Sequence, residues 1–424
     1  MGDQFGHAVS VSGNVAIVGA WGDDCATGGD CGSAFVYRYN GSTWVEEQNL
    51  HPPDGSASPR FGWSVSIDSD LAVVGAWKED TPAEPRSRSA YIFRYNGATW
   101  AAEQRLTAAD AAVNDGFGSS VSISGDMVVV GAPGDACNAD LACGSAYVFR
   151  FNGSNWTQEQ KLTARYRAYN DQFGSSVSVS GDVAVVGALY DDCAAGPECG
   201  SAYIFRYSGT TWMQRQRLTA SDATAYAAFG HSVSVSGDVA VVGASQDDCA
   251  FGYDCGSAYM YRYNGASWVE EFKVTASDAA ESDQFGQSVS VSDEIAVVGA
   301  GFDNCAAGPD CGSAYVFTLA DCNHNGMPDH CDIGEGTSLD ENGNGIPDEC
   351  DCTLDVYGDM EPPAGNGIID LDDITCVLDG FADSSDCPGA DLHPCGGNGL
   401  IDVDDIFAVL DAFADDPACP DSCT

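Results

Sequence analysis

Positive charge is scarce in this chain, which carries 16 lysines and arginines against 64 aspartates and glutamates. The formal net charge of −48 excludes a nucleic-acid-binding protein, because such proteins need a basic face for the phosphate backbone. The acidity suits divalent cations, basic partners or a salty medium. A solvated, self-repelling surface that keeps an extracellular protein soluble would have the same composition.

Long hydrophobic runs and known catalytic motifs are missing as well. No apolar run approaches the roughly 18–20 residues of a membrane helix, so we expect no membrane anchor. The six histidines are scattered, and neither Gly-x-Ser-x-Gly nor His-Glu-x-x-His occurs. We therefore expect a protein that is not an enzyme, although the many acids leave a catalytic carboxylate pair open.

The chain does contain a repeat with a constant period. Phe-Gly pairs recur every 56 residues, at Phe5, Phe61, Phe117, Phe173, Phe229 and Phe285. Gly-Ala pairs keep the same period, at Gly19, Gly75, Gly131, Gly187, Gly243 and Gly299. So does a tryptophan, at Trp44, Trp100, Trp156, Trp212 and Trp268. Such a period indicates one supersecondary unit stacked on copies of itself.

The fourth unit shows the strand pattern of the repeat. Residues 176–180 alternate in polarity, Gly181-Asp182 is a hairpin signal, and residues 183–186 form a short apolar run. Residues 201–207 alternate again, and residues 212–218 form a more polar fourth strand. Four antiparallel strands per unit predict a mainly β fold and a β-propeller blade; a linear β-solenoid is the weaker alternative. We expect Gly187 to let neighbouring blades approach closely and Phe173 to fill the gap between them.

The repeated Phe-Gly, Val-Val-Gly-Ala and Gly-Ser-Ala-Tyr-Val-Phe segments resemble the FG-GAP repeat of integrin α-subunits and of many bacterial surface and secreted proteins. The resemblance covers residues 1–318 and implies a propeller of four-stranded blades, with six repeats present. Because family propellers usually have seven blades, we expect a ring truncated at the N-terminus and an export signal upstream of Met1. A single upstream strand would instead close a six-bladed ring. The Asp-rich calcium loop of many family members has no counterpart between the first two strands here.

The 19 cysteines predict an oxidising compartment, hence an extracellular or cell-surface protein. We expect local disulfides in the loops between the second and third strands, within Cys25/Cys31, Cys137/Cys143, Cys193/Cys199, Cys249/Cys255 and Cys305/Cys311. Metal-binding thiolates are the weaker alternative, because no histidine or second pair stands nearby. Acids precede most of these pairs, at Asp23-Asp24, Asp191-Asp192, Asp247-Asp248 and Asp303, and form either a cation-binding crown or a solvated rim.

Residues 319–353 contain two copies of a calcium-loop pattern. Oxygen ligands at loop positions 1, 3, 5, 9 and 12, with a carbonyl at 7 and glycine at 6, are typical of an EF-hand-type loop. The pattern predicts Ca²⁺ ligands at Asp321, Asn323, Asn325, Met327, Asp329 and Asp332, and at Asp340, Asn342, Asn344, Ile346, Asp348 and Asp351. The segment resembles thrombospondin type 3 repeats; a polar linker is the alternative.

Residues 354–424 contain a second duplication, a loop followed by a helical pattern of apolar residues that starts at Ile374 and at Ile406. The arrangement resembles a type I dockerin. The resemblance implies calcium ligands at Asn366, Asp370, Asp373, Asn398, Asp402 and Asp405. The first and third loop positions depart from the dockerin pattern, which leaves calcium binding by these loops and a cohesin-like partner open.

Together these features predict a non-catalytic, calcium-binding extracellular protein of a bacterium, used for adhesion or for protein or glycan interaction. The loop face of the propeller would be its recognition head and the tail its attachment module. A secreted polysaccharide-degrading enzyme or cellulosome-like component is one alternative. A structural envelope or matrix protein is another.

Overall fold

A computed structural model describes residues 2–24, 31–53, 60–77, 88–138, 141–250, 252–292, 295–304 and 311–319, with 353–354 and 360–361. The chain divides into two compact units, residues 1–316 and 317–424. The first unit is a six-bladed β-propeller in which blades 1 to 5 have four strands each and the described part of blade 6 has three, and its described residues contain no helix. In the second unit, strands Thr353–Leu354 and Met360–Glu361 pair with each other.

The blades follow one another along the chain. Blade 1 contains β1 (Phe5–Ser12), β2 (Val15–Ala20), β3 (Ser33–Tyr39) and β4 (Trp44–Leu50). Blade 2 contains β5 (Phe61–Asp68), β6 (Leu71–Ala76), β7 (Ser89–Tyr95) and β8 (Trp100–Leu106). Blade 3 contains β9 (Ser120–Ser124), β10 (Met127–Ala132), β13 (Ser145–Phe151) and β14 (Trp156–Leu162), with a small hairpin of β11 (Ala136–Asn138) and β12 (Leu141–Ala142).

The later blades repeat this order. Blade 4 contains β15 (Phe173–Ser180), β16 (Val183–Ala188), β17 (Ser201–Tyr207) and β18 (Trp212–Leu218). Blade 5 contains β19 (Phe229–Ser236), β20 (Val239–Ala244), β21 (Ser257–Tyr263) and β22 (Trp268–Val274). The described part of blade 6 contains β23 (Phe285–Ser292), β24 (Ile295–Ala300) and β25 (Ser313–Thr318). The predicted strands of the fourth unit are confirmed, and Ser180 pairs with Val183 across the predicted Gly181-Asp182 hairpin.

Hydrophobic cores form where consecutive blades face each other. In one of them Val185 of blade 4 is fully buried together with Phe229 and Val242 of blade 5. The phenylalanine of each internal Phe-Gly pair lies inside such a core and meets a tyrosine edge-on, as Phe229 meets Tyr259 at 5.3 Å between ring centroids. This packing confirms that the repeated phenylalanine fills the gap between blades.

Gly187 lies at a close approach of two backbones. A Cβ built on it would come within 2.1 Å of the Gly230 carbonyl oxygen in the next blade, far inside van der Waals contact. No side chain fits there, because both contacting groups belong to paired strands that cannot move apart independently. The expectation that small residues allow the blades to approach is therefore confirmed.

A glutamine on the outer strand ties each of several blades to the next one. The Gln160 side-chain amide donates to the Trp212 carbonyl at 2.8 Å, and its oxygen accepts from the Trp212 N–H, also at 2.8 Å. The same pair of bonds joins Gln48 to Trp100, Gln104 to Trp156 and Gln216 to Trp268. The repeated tryptophan is thus structural, as expected, but its glutamine partner was not predicted.

Blades 1 and 6 each have an inter-blade face that solvent reaches. Phe5 of blade 1 is 56% exposed, whereas Phe61 at the equivalent position of blade 2 is fully buried. In blade 6, Val316 is 67% exposed, whereas its equivalent Ile204 is 1% exposed. Within the described residues, no strand of blade 1 packs on a strand of blade 6 as neighbouring blades pack on each other.

Candidate interaction surface

The connections from the second to the third strand, and from each blade to the next, emerge on one face because the four strands are antiparallel. We call it the loop face. Disulfides join Cys137 to Cys143, Cys193 to Cys199 and Cys249 to Cys255, with Cα–Cα distances of 5.5, 5.8 and 5.8 Å. The local pairing is confirmed for these three loops, and thiolate metal ligands are excluded there. Cys31 and Cys311 are also disulfide-bonded, and their expected partners Cys25 and Cys305 lie outside the described residues.

The first acid of each acidic pair on this face belongs to the scaffold. Asp247 is buried, and its Oδ2 accepts from the Ser257 hydroxyl at 2.6 Å and from the Tyr259 hydroxyl at 3.3 Å. The same oxygen meets the Lys273 ammonium at 2.7 Å, and Lys273 also reaches Asp222 at 2.7 Å. Blade 3 repeats the arrangement with Asp135, Ser145, Tyr147 and Lys161.

The surroundings raise the pKa of both the phenol and the ammonium group in this network. Burial raises the pKa of the Tyr259 phenol well above its usual range, and the neighbouring Asp247 carboxylate adds to the effect. Burial opposes the charge on Lys273, but hydrogen bonds with Asp222 and Asp247 outweigh burial and raise its pKa. The tyrosine hydroxyl lies 2.8 Å from Asp222 and 3.3 Å from Asp247, so its proton goes chiefly to Asp222. The lysine bridges both carboxylates, which anchors the base of the loop to the third and fourth strands.

The second acid of the pair is exposed and closes the loop locally. Asp192 Oδ1 accepts from the Glu198 N–H at 3.0 Å, and Asp248 Oδ1 accepts from the Asp254 N–H at 3.1 Å. The acidic crown considered from the sequence therefore divides into buried acids that hold the scaffold and exposed acids at the rim. Only the exposed acids remain available for an external cation or a basic partner.

A cluster of aromatic and cationic side chains lies at the loop-side ends of blades 1 and 2. We call it the tryptophan–arginine cluster; it comprises Trp21, Trp63, Trp77, Arg60, Arg88 and His7. The Trp63 and Trp77 rings stack with centroids 4.8 Å apart, and Trp21 lies 5.6 Å from Trp63. The His7 ring lies 4.6 Å from Trp63.

The two guanidinium groups cover faces of these indoles. The Arg60 guanidinium carbon is 4.6 Å from the Trp21 centroid and 5.0 Å from the Trp77 centroid. Arg88 directly precedes β7, and its guanidinium carbon is 4.8 Å from the Trp77 centroid. Burial lowers the pKa of Arg88, against the opposing effect of the Asp115 carboxylate. Cation–π contacts of this kind hold a planar guanidinium in a fixed orientation.

The cluster breaks the repeat at each of its tryptophans. Trp21 and Trp77 directly follow the second strand, where the other blades have Pro133, Leu189, Ser245 and Gly301. Trp63 occupies the position of His7, Ser119, Ser175, His231 and Gln287. Of the eight tryptophans, five hold the repeat position, and the other three all meet here. Sequence reasoning missed the cluster, although the departures from the 56-residue register were visible in it.

The predicted calcium ligands between Asp321 and Asp351, and between Asn366 and Asp405, lie outside the described residues. Across the part of the chain that the structure describes, no three histidine, cysteine or acidic side chains are placed to hold a metal ion together. A search of the same residues found no helix with the length and apolarity needed to cross a membrane.

Blades of one common pattern, with disulfide-closed loops on one face, define a β-propeller protein built from sequence repeats. The chain belongs to the FG-GAP repeat family, which matches residues 1–37, 44–93, 100–149, 156–205, 212–261 and 268–317. Each complete match begins at the repeated tryptophan, so the family's unit joins the fourth strand of one blade to the first three of the next. A comparison with curated proteins gave no match to this chain.

Proposed function

We propose that this protein is a non-catalytic extracellular interaction protein, whose propeller is the recognition head and whose calcium-binding tail is the attachment module. The observation that carries the proposal is the loop face, where disulfide-closed loops of successive blades stand side by side on one scaffold. Disulfides persist outside the reducing cytosol, which supports the extracellular location.

The construction of the loops supports a role in recognition. Their bases are fixed by buried ionic networks such as Asp247, Tyr259 and Lys273, and their tips present side chains such as Tyr253, which is well exposed. A loop that is ordered before it meets a ligand loses less conformational entropy on binding. Side chains on rigidly held loops are where binding residues concentrate in proteins.

The tail contributes calcium and attachment in this proposal. The loops that begin at Asp321 and Asp340 supply the oxygen-rich spacing that Ca²⁺ prefers. The duplicated loop-and-helix segment of residues 354–424 would hold the protein to a cohesin-like partner. Calorimetric titration of the full chain with Ca²⁺ should show binding, and the affinity or the number of bound ions should decrease when Asp321 and Asp340 are both changed to alanine. Unchanged binding in that double variant would remove calcium from these loops.

The whole proposal is tested by affinity capture with the full-length, disulfide-intact protein as bait for bacterial envelope and secreted fractions. The capture is run once in Ca²⁺ and once in EDTA, with the Asp321→Ala/Asp340→Ala variant as the matched control. A defined glycan or protein retained in both buffers supports recognition by the propeller, and one retained only in Ca²⁺ supports attachment through the tail. Retention of nothing, or turnover of a polysaccharide panel that a single carboxylate substitution abolishes, would overturn the proposal.

A further inference from the structure

We propose that exposed tyrosines on the loop face, in the connections of blades 3 to 5, bind a neutral polysaccharide chain. The inference rests on the proposed function, since it assigns a place and a ligand class to the recognition head. We call this set the tyrosine surface; it comprises Tyr166, Tyr169, Tyr226 and Tyr253. These residues are 74%, 69%, 58% and 71% exposed, so the surface is open to solvent.

The repeat does not account for these four residues. Within residues 1–318 every other tyrosine, apart from the half-buried Tyr190, belongs to a strand. Tyr166 stands where equivalent connections have Asp110, Asp222 and Asp278. Tyr253 stands where equivalent loops have Leu141, Pro197 and Pro309. Large rings placed in water, at positions where the scaffold uses other residue types, indicate a surface made for a ligand.

Tyr226 is retained against the preference of its backbone. Its φ is +69°, in the left-handed region, and the equivalent Asn114, Asn170 and Ser282 have φ of +72°, +67° and +71°. Asparagine adopts this region more readily than tyrosine does. An exposed tyrosine at such a position stabilises nothing in the fold, so we attribute it to binding.

Backbone hydrogen bonds hold the connection that carries Tyr226 against the loops on both sides. The Tyr226 N–H donates to the Pro197 carbonyl at 3.0 Å, which joins this connection to the disulfide loop of blade 4. The Gln246 N–H donates to the Ala227 carbonyl at 3.2 Å, which joins it to the start of the loop that carries Tyr253.

The connection that carries Tyr166 and Tyr169 is held in the same way. The Tyr190 N–H, at the start of the blade 4 loop, donates to the Asp171 carbonyl at 3.3 Å. The Arg165 N–H donates to the Gln214 side-chain oxygen at 2.9 Å. The four tyrosines therefore stand on adjoining, mutually bonded connections that are fixed before a ligand arrives.

The tyrosine rings have uncovered faces. The Tyr166 ring meets the Arg165 guanidinium carbon, 5.7 Å from the ring centroid, and no second cation or ring. Among the described residues, the rings of Tyr169, Tyr226 and Tyr253 pack on no aromatic or cationic group. Each ring can therefore receive a flat ligand.

A sugar chain matches this combination of groups. The electron-rich face of a phenol ring packs against the weakly positive C–H groups of a sugar ring, while its hydroxyl forms hydrogen bonds. The exposed carboxylates of Asp192 and Asp248, on the same two loops, can accept from sugar hydroxyls. Because one sugar ring covers one tyrosine, a row of tyrosines on successive connections suits a chain of sugars.

Charge and composition separate this ligand from its competitors. The net charge of −48 repels an acidic polysaccharide, which favours a neutral one. The core of a protein interface is usually a continuous apolar patch. Among the described loop connections from residue 163 to residue 256, the exposed large hydrophobic residues are the four tyrosines, with polar residues between them. Acidic glycans and proteins therefore become outcomes of the test.

The test uses the full-length, disulfide-intact protein and calorimetric titration with β-1,4-linked hexamers of glucose, mannose, xylose, galactose and N-acetylglucosamine. The trimer of each sugar measures the benefit of a longer chain, and hexaglucuronate adds charge to the shape of the glucose hexamer. We expect at least one neutral hexamer to bind about tenfold or more tightly than its trimer, and more tightly than hexaglucuronate.

Matched variants locate the site. Tyr166→Ala, Tyr169→Ala, Tyr226→Asn and Tyr253→Ala should each weaken binding about fivefold or more. Tyr226→Asn installs the residue of blade 3, so its thermal stability should equal or exceed that of the wild type while its binding weakens. Tyr39→Ala, at a 40% exposed tyrosine that ends β3 on the opposite face, should leave binding unchanged.

The inference falls if no neutral hexamer binds, if hexaglucuronate binds as tightly as the best of them, or if the tyrosine variants bind like the wild type. The capture experiment separates these failures from a failure of the proposed function. If protein carrying all four substitutions captures the same partner as the wild type, the interaction function stands while the tyrosine surface is excluded as its site.

Discussion

At the loop-side end of the second strand, blades 1 and 2 carry Trp21 and Trp77, whereas blades 4 and 5 carry Leu189 and Ser245. The strands leading to these positions are alike, since each ends in the same Gly-Ala pair. The repeat therefore determines the faces between blades and leaves the strand ends free to differ. Function is therefore to be sought where the repeat is broken, and stability where it is kept.

Blades 1 and 6, which each have an inter-blade face that solvent reaches, differ in the same way from blades whose two faces are both covered among the described residues. A residue on an inter-blade face is buried only when another blade covers it. Equivalent positions of the repeat can therefore carry the same residue type and still differ in burial. Phe5 and Phe61 show this directly, since one is exposed and the other buried. Substitutions at equivalent positions can therefore separate the contribution of the contact from that of the residue type.

The largest expected effect is at the buried member of that pair. Phe61→Ala should lower the free energy of unfolding by about 4 kcal/mol, because it removes a fully buried ring and leaves a cavity between blades 1 and 2. Phe5→Ala, its matched control, should lower it by less than about 1 kcal/mol. Denaturant unfolding of both variants with disulfides intact measures the difference. Equal losses would mean that the face of blade 1 is covered in solution.

A somewhat smaller effect is expected at the glycine that faces the next blade. Gly187→Ala should destabilise by about 3 kcal/mol, because its new methyl group meets the Gly230 carbonyl oxygen of blade 5. At the equivalent Gly299 in blade 6, a Cβ would meet only the Ser288 hydroxyl, at 2.4 Å, and a side chain can rotate away. Gly299→Ala should therefore lose about 1 kcal/mol or less. A Gly187→Ala protein as stable as the wild type would contradict the close approach of the blades.

Much of the fold was predictable because its determinants are local and repeated. The alternation in residues 201–207 and the Gly181-Asp182 turn predict strand bounds that the structure confirms. The bond between Gln160 and Trp212 was not predictable in this way, since it joins residues 52 apart through a side chain. The local sequence around a polar residue in an outer strand does not predict which residue of another blade it will contact.

The candidate site divides in the same manner. The loop disulfides follow from spacing, because two cysteines only six positions apart leave little choice of partner. The burial of Asp247 does not follow from spacing. The local sequence around an acid before a loop is the same whether the acid faces water or pairs with Lys273. The meeting of Trp21 with Trp63 depends on how two blades pack, which only the three-dimensional arrangement shows.

The inter-blade glutamine provides a prediction of moderate size. Gln160→Ala should destabilise by about 1–2 kcal/mol, because the Trp212 N–H and carbonyl groups lose their partners at a partly buried site. Gln160→Glu retains an acceptor for the N–H but places a carboxylate oxygen against the Trp212 carbonyl oxygen, and should lose at least as much stability as the alanine variant. Thermal unfolding of both proteins checks the order. An alanine variant no less stable than the wild type would mean that water replaces the glutamine without loss.

The smallest expected effect concerns pH and a position at which blades 5 and 6 differ. Burial lowers the pKa of His231, whose ring bonds to the Ser245 hydroxyl, below the ordinary value of about 6.5. Above that value both folded and unfolded chains keep this histidine neutral. As the pH falls through it, the unfolded chain takes up a proton that the folded chain resists, so stability decreases.

His231→Gln introduces the residue that blade 6 has at position 287, and should flatten the loss of stability measured by denaturant unfolding between about pH 7 and pH 5. An unchanged pH profile in the His231→Gln protein would contradict the burial of this ring in the folded propeller.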